Sequence, residues 1–167
     1  MKKLILVRHA KSDWGNESLK DMDRPLNQRG YQDAYIMAKW CKENLPMPDL
    51  MVSSHAIRAI STSFIFARTL ERKEDDVKIE NGLYESTMPK WLKIIGEFEN
   101  KSQVVMVFGH NPVITNLVNE LSKELFFDNL PTCSVVGIEL GTKDWKNISE
   151  IKNAKLISYK FPKSFKQ

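Results

Sequence analysis

The sequence predicts an α/β fold: three layers, α/β/α, with a mostly parallel central sheet flanked by helices. Two observations carry this. The uninterrupted apolar runs Leu4-Ile5-Leu6-Val7 and Val104-Val105-Met106-Val107-Phe108 have the composition of strands buried on both faces, as parallel sheets require. Between and after them, apolar residues recur at three- and four-residue steps, the spacing of a helix with one buried face. Strands that alternate with helices fold into α/β layers.

The elements follow in order. The first strand runs out at Arg8-His9-Ala10, and open α/β sheets present functional groups at such strand ends. Tyr31, Ala34, Tyr35, Ala38, Cys41 and Leu45 define a helix over residues 27–44, capped by Asn27 and ended by Pro46 and Pro48. A short strand at Met51-Val52 leads through Ser53-Ser54-His55 to Arg58, in the first turn of a helix over residues 57–70 with Ile60, Phe64 and Ala67 inward. The run 104–109 is followed directly by His110. Asn111-Pro112 then opens a helix carrying Ile114, Leu117, Val118, Leu121 and Leu125, with Pro112 in a first turn where a missing N–H costs nothing. Residues 134–140 and 154–159 alternate less cleanly and are expected to add strands at the sheet edge.

A chain of 167 residues, 42% hydrophobic and 28% charged, is expected to form a single domain over residues 1–167. No stretch approaches the roughly 18 to 20 apolar residues that cross a bilayer, and Met1-Lys2-Lys3 passes into a strand without a cleavage site. No membrane association and a cytoplasmic location are the expectation. Cys41 and Cys133, without a spaced framework, fit a reducing compartment. The net charge of +4 is scattered among acids except in the tail 160–166, so nucleic acid is not an expected partner.

Four polar residues stand at strand or helix boundaries: Arg8, His9, Arg58 and His110. Arginine offers a planar fork that bonds two phosphate oxygens and keeps its charge at any working pH. A neutral imidazole is a nucleophile available near neutrality. Two guanidinium groups aimed at one pocket repel a divalent cation and favour an anion, so catalysis without metal or organic cofactor is expected.

Arg8-His9-Ala10 resembles the Arg-His-Gly signature of the histidine phosphatase superfamily, with Arg58 and His110 matching its later arginine and histidine. The short length, Val7-Arg8-His9-Ala10-Lys11-Ser12 and Asp23-Arg24-Pro25-Leu26 look most like the SixA-type phosphohistidine phosphatases. The resemblance implies that His9 is the nucleophile and becomes a transient phosphohistidine. Arg8, Arg58 and a partly cationic His110 would hold the phosphoryl group. Leu83-Tyr84-Glu85 resembles the segment that bears the proton donor in phosphoglycerate-mutase-like relatives, which makes Glu85 the candidate acid.

Further substrate contacts are expected from Ser12 and from Arg24, for which a salt bridge to Asp21 or Asp23 is the structural alternative. His55 is expected at the pocket rim or facing solvent, and Trp14 at the entrance. Ala10 replaces the family's usual glycine, and Ser54 stands where proline is frequent. Gly15 stands where many mutases carry a phosphate-binding asparagine, which argues against a mutase. The expected partner is a phosphorylated protein, in the form of a phosphotransfer domain, or a small phosphorylated molecule. The functional alternatives are a metabolite phosphatase and a catalytically silent phosphoprotein-binding module.

Overall fold

The computed structural model describes residues 1–165, so Lys166 of the basic tail lies outside the described residues. Its strands are β1 (Lys3–Arg8), β2 (Leu50–Ser53), β3 (Val77–Ile79), β4 (Val104–Gly109), β5 (Val135–Glu139) and β6 (Lys155–Lys160). The helices are α1 (Gln28–Asn44), α2 (Ile57–Thr69), α3 (Met88–Gly96) and α4 (Val113–Leu121). One six-stranded sheet has the order β3-β2-β4-β1-β5-β6. Strands β1 to β4 are mutually parallel, β5 runs against β1, and β6 runs against β5 at the edge.

Alternation along the two central strands builds both outer layers. Leu4, Leu6, Val105 and Val107 enter one core with Trp91 and Ile95 of α3 and Ile114, Leu117 and Val118 of α4. Ile5, Val7, Met106 and Phe108 enter the other, with Ala34, Met37 and Ala38 of α1 and Ile65 and Phe66 of α2. The predicted three-layer α/β/α architecture is thus the observed one. Because β1 and β4 are covered on both faces, neither could carry polar residues along its length; these accumulate where the strands end.

The helices differ from their predicted faces in instructive ways. Asn27 caps α1 by accepting the Gly30 N–H at 2.8 Å, and the chain leaves the helix at Leu45, just before Pro46. Its buried stripe is Ala34, Met37, Ala38 and Cys41, whereas Tyr31 and Tyr35 are exposed. The tyrosines lie about 70° and 110° round the helix from the centre of that stripe, on its flank. In α2 the buried face runs through Arg58, Ala59, Thr62, Ser63 and Phe66, so Ile60 and Phe64 are only half-buried. Two polar members of that face, Arg58 and Thr62, serve the site, and Ser63 bonds back to the Ile60 carbonyl; an apolar periodicity does not register any of them.

Helix α4 stops at Leu121 and leaves Leu125 exposed. The Asn119 side chain bonds both the N–H and the carbonyl of Phe127, drawing the chain into a loop instead of another turn. Pro112 sits at the cap position, one residue ahead of the first turn. Strand β3, three residues long, and α3, capped by Thr87 with Pro89 in its first turn, were not predicted.

Gly30 is fixed by a close approach. A Cβ there would stand 2.1 Å from the carbonyl oxygen of Lys11, in the turn that follows Ala10. A backbone oxygen cannot swing aside, so the glycine lets α1 pack directly under the strand-end loop. Gly30→Ala is expected to lower the unfolding free energy by about 2 kcal/mol in denaturant titration. Wild-type stability in that variant would show that the turn is free to move.

Candidate active site

Parallel pairing of β1 with β4 sets the geometry. Arg8 is opposite Gly109 and Ser53 is opposite Phe108, so three adjacent strands end level. His9 and His110 leave neighbouring strand ends, with ring centroids 5.2 Å apart. The His9 backbone is tied on both sides: its N–H donates to the Gly109 carbonyl at 3.0 Å and its carbonyl accepts from the Cys133 N–H at 3.0 Å. Cys133 reaches it with a positive φ of 61°.

The His9 ring is oriented by a second bond, Nδ1 lying 2.7 Å from the Ala10 carbonyl oxygen. A carbonyl only accepts, so Nδ1 carries the proton and Nε2 keeps its lone pair. Burial pushes the His9 pKa down to about 3; the Ala10 bond works against this, while His110, Arg58 and Arg8 add to it. His9 is 7% exposed and, at neutral pH, a neutral imidazole with a fixed tautomer.

Arg8 donates from Nη1 to the Leu130 carbonyl at 2.6 Å. Arg58 donates from Nη1 to the Asp21 carbonyl at 2.7 Å and from Nη2 to Asp21 Oδ2 at 3.0 Å. Among the described residues, Arg8 Nε, Arg58 Nε and His110 Nδ1 are buried without a hydrogen-bond partner. Leaving a buried donor unpaired costs roughly 1 to 3 kcal/mol. Two such donors, Arg8 Nε and Arg58 Nε, with His110 Nδ1 in the same cluster, make it a ready receptor for an oxyanion. Burial lowers the Arg8 pKa and Arg58 adds to this, as expected of two cations held close.

His110 Nε2 lies 2.8 Å from Ser54 Oγ. Burial first, and then Arg58, push the His110 pKa down to about 4, partly opposed by Asp21. It stands here as a neutral imidazole, where a partly cationic one is expected from the sequence. A phosphoryl dianion alongside would raise it.

Arg24 realises its structural alternative. Its Nη2 and Nε bond Asp21 Oδ1 at 2.7 and 3.2 Å, its Nη1 donates to Ser12 Oγ at 3.2 Å, and its guanidinium lies 3.3 Å from the Trp14 ring centroid. Ser12 is therefore engaged with Arg24. Trp14 is 67% exposed, and with Asp21 and Arg24 it lines a hollow of about 300 Å³. Half-buried His55 packs edge-on against Tyr84 at 5.2 Å, and Tyr84 lies 5.5 Å from the His110 ring. Glu85 follows Tyr84 on the exposed rim, with a positive φ of 45°.

Three contributors are absent from the sequence-derived set. Asp21 bonds Arg58, Arg24 and Tyr84. Thr62 accepts the Ala10 N–H at 3.0 Å while donating to the Arg58 carbonyl at 2.7 Å, which joins the strand-end loop to α2. Ser54 meets His110. Ser54 carried a signal as a departure from the family's proline, and Asp21 as a salt-bridge partner offered for Arg24. Among the described residues, no group of three or more His, Cys, Asp or Glu is arranged to hold a metal ion.

Comparison with known proteins decides the family. The histidine phosphatase superfamily (branch 1) model matches residues 4–98, a span that includes Arg8, His9, Arg58 and Glu85. The chain belongs to the histidine phosphatase superfamily. It is similar to the protein assigned as phosphohistidine phosphatase SixA in Agrobacterium tumefaciens, with TM-score 0.81 and 25% identity over 96% of this chain and 98% of that one. It also shares its fold with a mycobacterial glucosyl-3-phosphoglycerate phosphatase, with TM-score 0.72 and 15% identity over 95% and 98% of the two chains. An uncharacterised chloroplastic protein of Arabidopsis thaliana is 43% identical over 61 residues, which are 36% of this chain and 28% of that protein.

The two histidines link the site to stability. Both have folded-state pKa values below the ordinary value of about 6.5, so below that pH the unfolded chain binds protons that the fold excludes. Their neutral forms are undisturbed above about pH 6.5, and stability falls as pH drops from there towards about 4. The slope is up to about 1.4 kcal/mol per pH unit for each histidine. His9→Ala is expected to flatten the dependence of unfolding free energy on pH between about 6 and 4. An unchanged slope would mean that His9 titrates normally in the fold.

Proposed function

We propose that this chain is a phosphohistidine phosphatase that acts on a histidine-phosphorylated phosphotransfer protein, through a covalent intermediate on His9. The observation that carries the reading is the fixed tautomer of His9, with Nδ1–H bonded to Ala10 and Nε2 free. Nε2 attacks phosphorus as the bond to the substrate imidazole breaks, and that imidazole leaves with a proton from solvent. Arg8, Arg58 and His110 take the equatorial oxygens through their unpartnered donors. Water then attacks the phosphoryl group on Nε2, releasing inorganic phosphate and restoring neutral His9.

The carboxyl groups favour a phosphohistidine substrate over an ester. An alkoxide leaving group needs a strong proton donor, whereas an imidazole does not. Asp21 cannot donate: burial would raise its pKa, but bonds from Tyr84, Arg24 and Arg58 hold it well below the usual carboxylate range. Glu85 is exposed on the rim, with no hydrogen bond among the described residues to aim it. The buried, unpaired thiols of Cys41 and Cys133 fit a cytoplasmic setting. No helix among the described residues is long and apolar enough to cross a membrane.

The test compares phosphate release from a histidine-phosphorylated phosphotransfer protein with release from a panel of phosphate esters. The protein substrate is expected to be preferred, with activity lost in His9→Ala and reduced by about 10² to 10³ in Arg58→Ala. Preference for an ester, with hydrolysis lost in Glu85→Gln, would instead make this a metabolite phosphatase. Binding of the phosphoprotein without turnover would make it a recognition module.

A further inference from the structure

Asp21 lies in a short 3-10 turn, Asp21–Asp23, on the connection between β1 and α1. Its carboxylate accepts four hydrogen bonds: Arg24 Nε and Nη2 on Oδ1, and Arg58 Nη2 and the Tyr84 hydroxyl on Oδ2, the last at 2.6 Å. Its backbone carbonyl takes Arg58 Nη1 as well. The side chains of Arg58 and Arg24 are 8% and 9% exposed, while that of Asp21 is 46% exposed. One half-exposed carboxylate is therefore the anchor of two buried guanidinium groups.

The fork of Arg58 is committed to this residue through both Nη atoms, and Nε is what remains unpartnered. Arg8 is held differently. Its anchor is the Leu130 carbonyl, which carries no formal charge. A neutral acceptor would have sufficed to aim Arg58, so the negative charge of Asp21 has a separate consequence. It offsets one of the cations that a phosphate dianion meets, and it shares Arg58 with any anion that binds there.

Each turnover ends with inorganic phosphate among Arg8, Arg58 and two imidazoles. Release of a tightly held product can limit an enzyme's rate. We infer that Asp21 is the positioning residue of Arg58 and a resident counter-anion that weakens the hold of the site on free phosphate. This rests on the reading that Arg58 binds the phosphoryl group. Arg24, stacked on Trp14 and bonded to Ser12, and Tyr84, bonded to the other carboxylate oxygen, keep Asp21 in place.

Asp21→Asn retains the shape and the backbone carbonyl but removes the charge, and Asp21→Ser provides a second variant if the amide packs badly against Arg24. Calorimetry with inorganic phosphate and turnover of phosphoimidazole are measured on both. Phosphate is expected to bind about tenfold more tightly while turnover falls, because the product leaves more slowly. Simple damage to the site would weaken both together, and unchanged or weaker phosphate binding would overturn the inference. Arg58→Ala separates the two levels. If it leaves phosphate affinity unchanged, the phosphate-binding reading fails and the role of Asp21 fails with it. If Arg58→Ala weakens binding while neither Asp21 variant tightens it, only the inference about Asp21 falls.

Discussion

The parallel register of β1 against β4 is the constraint on which the site depends. With Arg8 opposite Gly109, the residues that follow, His9 and His110, emerge side by side at the same edge of the sheet. A slip of one residue would turn the apolar face of each strand towards the wrong helical layer. The two cores therefore guard the register. Gly109 fits this arrangement closely, because a Cβ there would stand 2.4 Å from the Trp91 ring in the α3/α4 core.

Burial then supplies the chemistry. Imidazoles at the edge of a sheet in water would titrate near neutrality and sample both tautomers. Here His9 is enclosed, its proton is assigned to Nδ1 by a backbone carbonyl, and two guanidinium groups nearby disfavour a second proton. The same arginines have donors left over for an incoming anion. The cations that add to burial in keeping His9 neutral are also the ones that suit the site to an anion.

Much of this was legible in the sequence where the cause is local. A doubly covered strand is a continuous apolar run, so its end, and the polar residue that follows, can be found by inspection; that located Arg8, His9 and His110. Asn27 was legible as a cap because the Gly30 N–H is three residues away. The bond of Asp21 to Arg24, three residues on, was legible too; its bonds to Arg58 and Tyr84, and that of Thr62 to Ala10, were not, since they span 37, 63 and 52 residues. The inward faces of α1 and α2 were misjudged because Tyr31 and Tyr35 count as apolar while Thr62 and Ser63 do not. Strand β3, at three residues, offers too little pattern to read.

The central claim, that His9 attacks through Nε2, predicts which phosphohistidine isomer forms. The measurement is rapid quenching in alkali during turnover of a phosphorylated substrate, followed by ³¹P NMR and mass mapping of the trapped enzyme. A phosphoryl group on Nε2 of His9 is the predicted result. Attachment at Nδ1, attachment at His110, or turnover with no phosphorylated histidine would contradict the account.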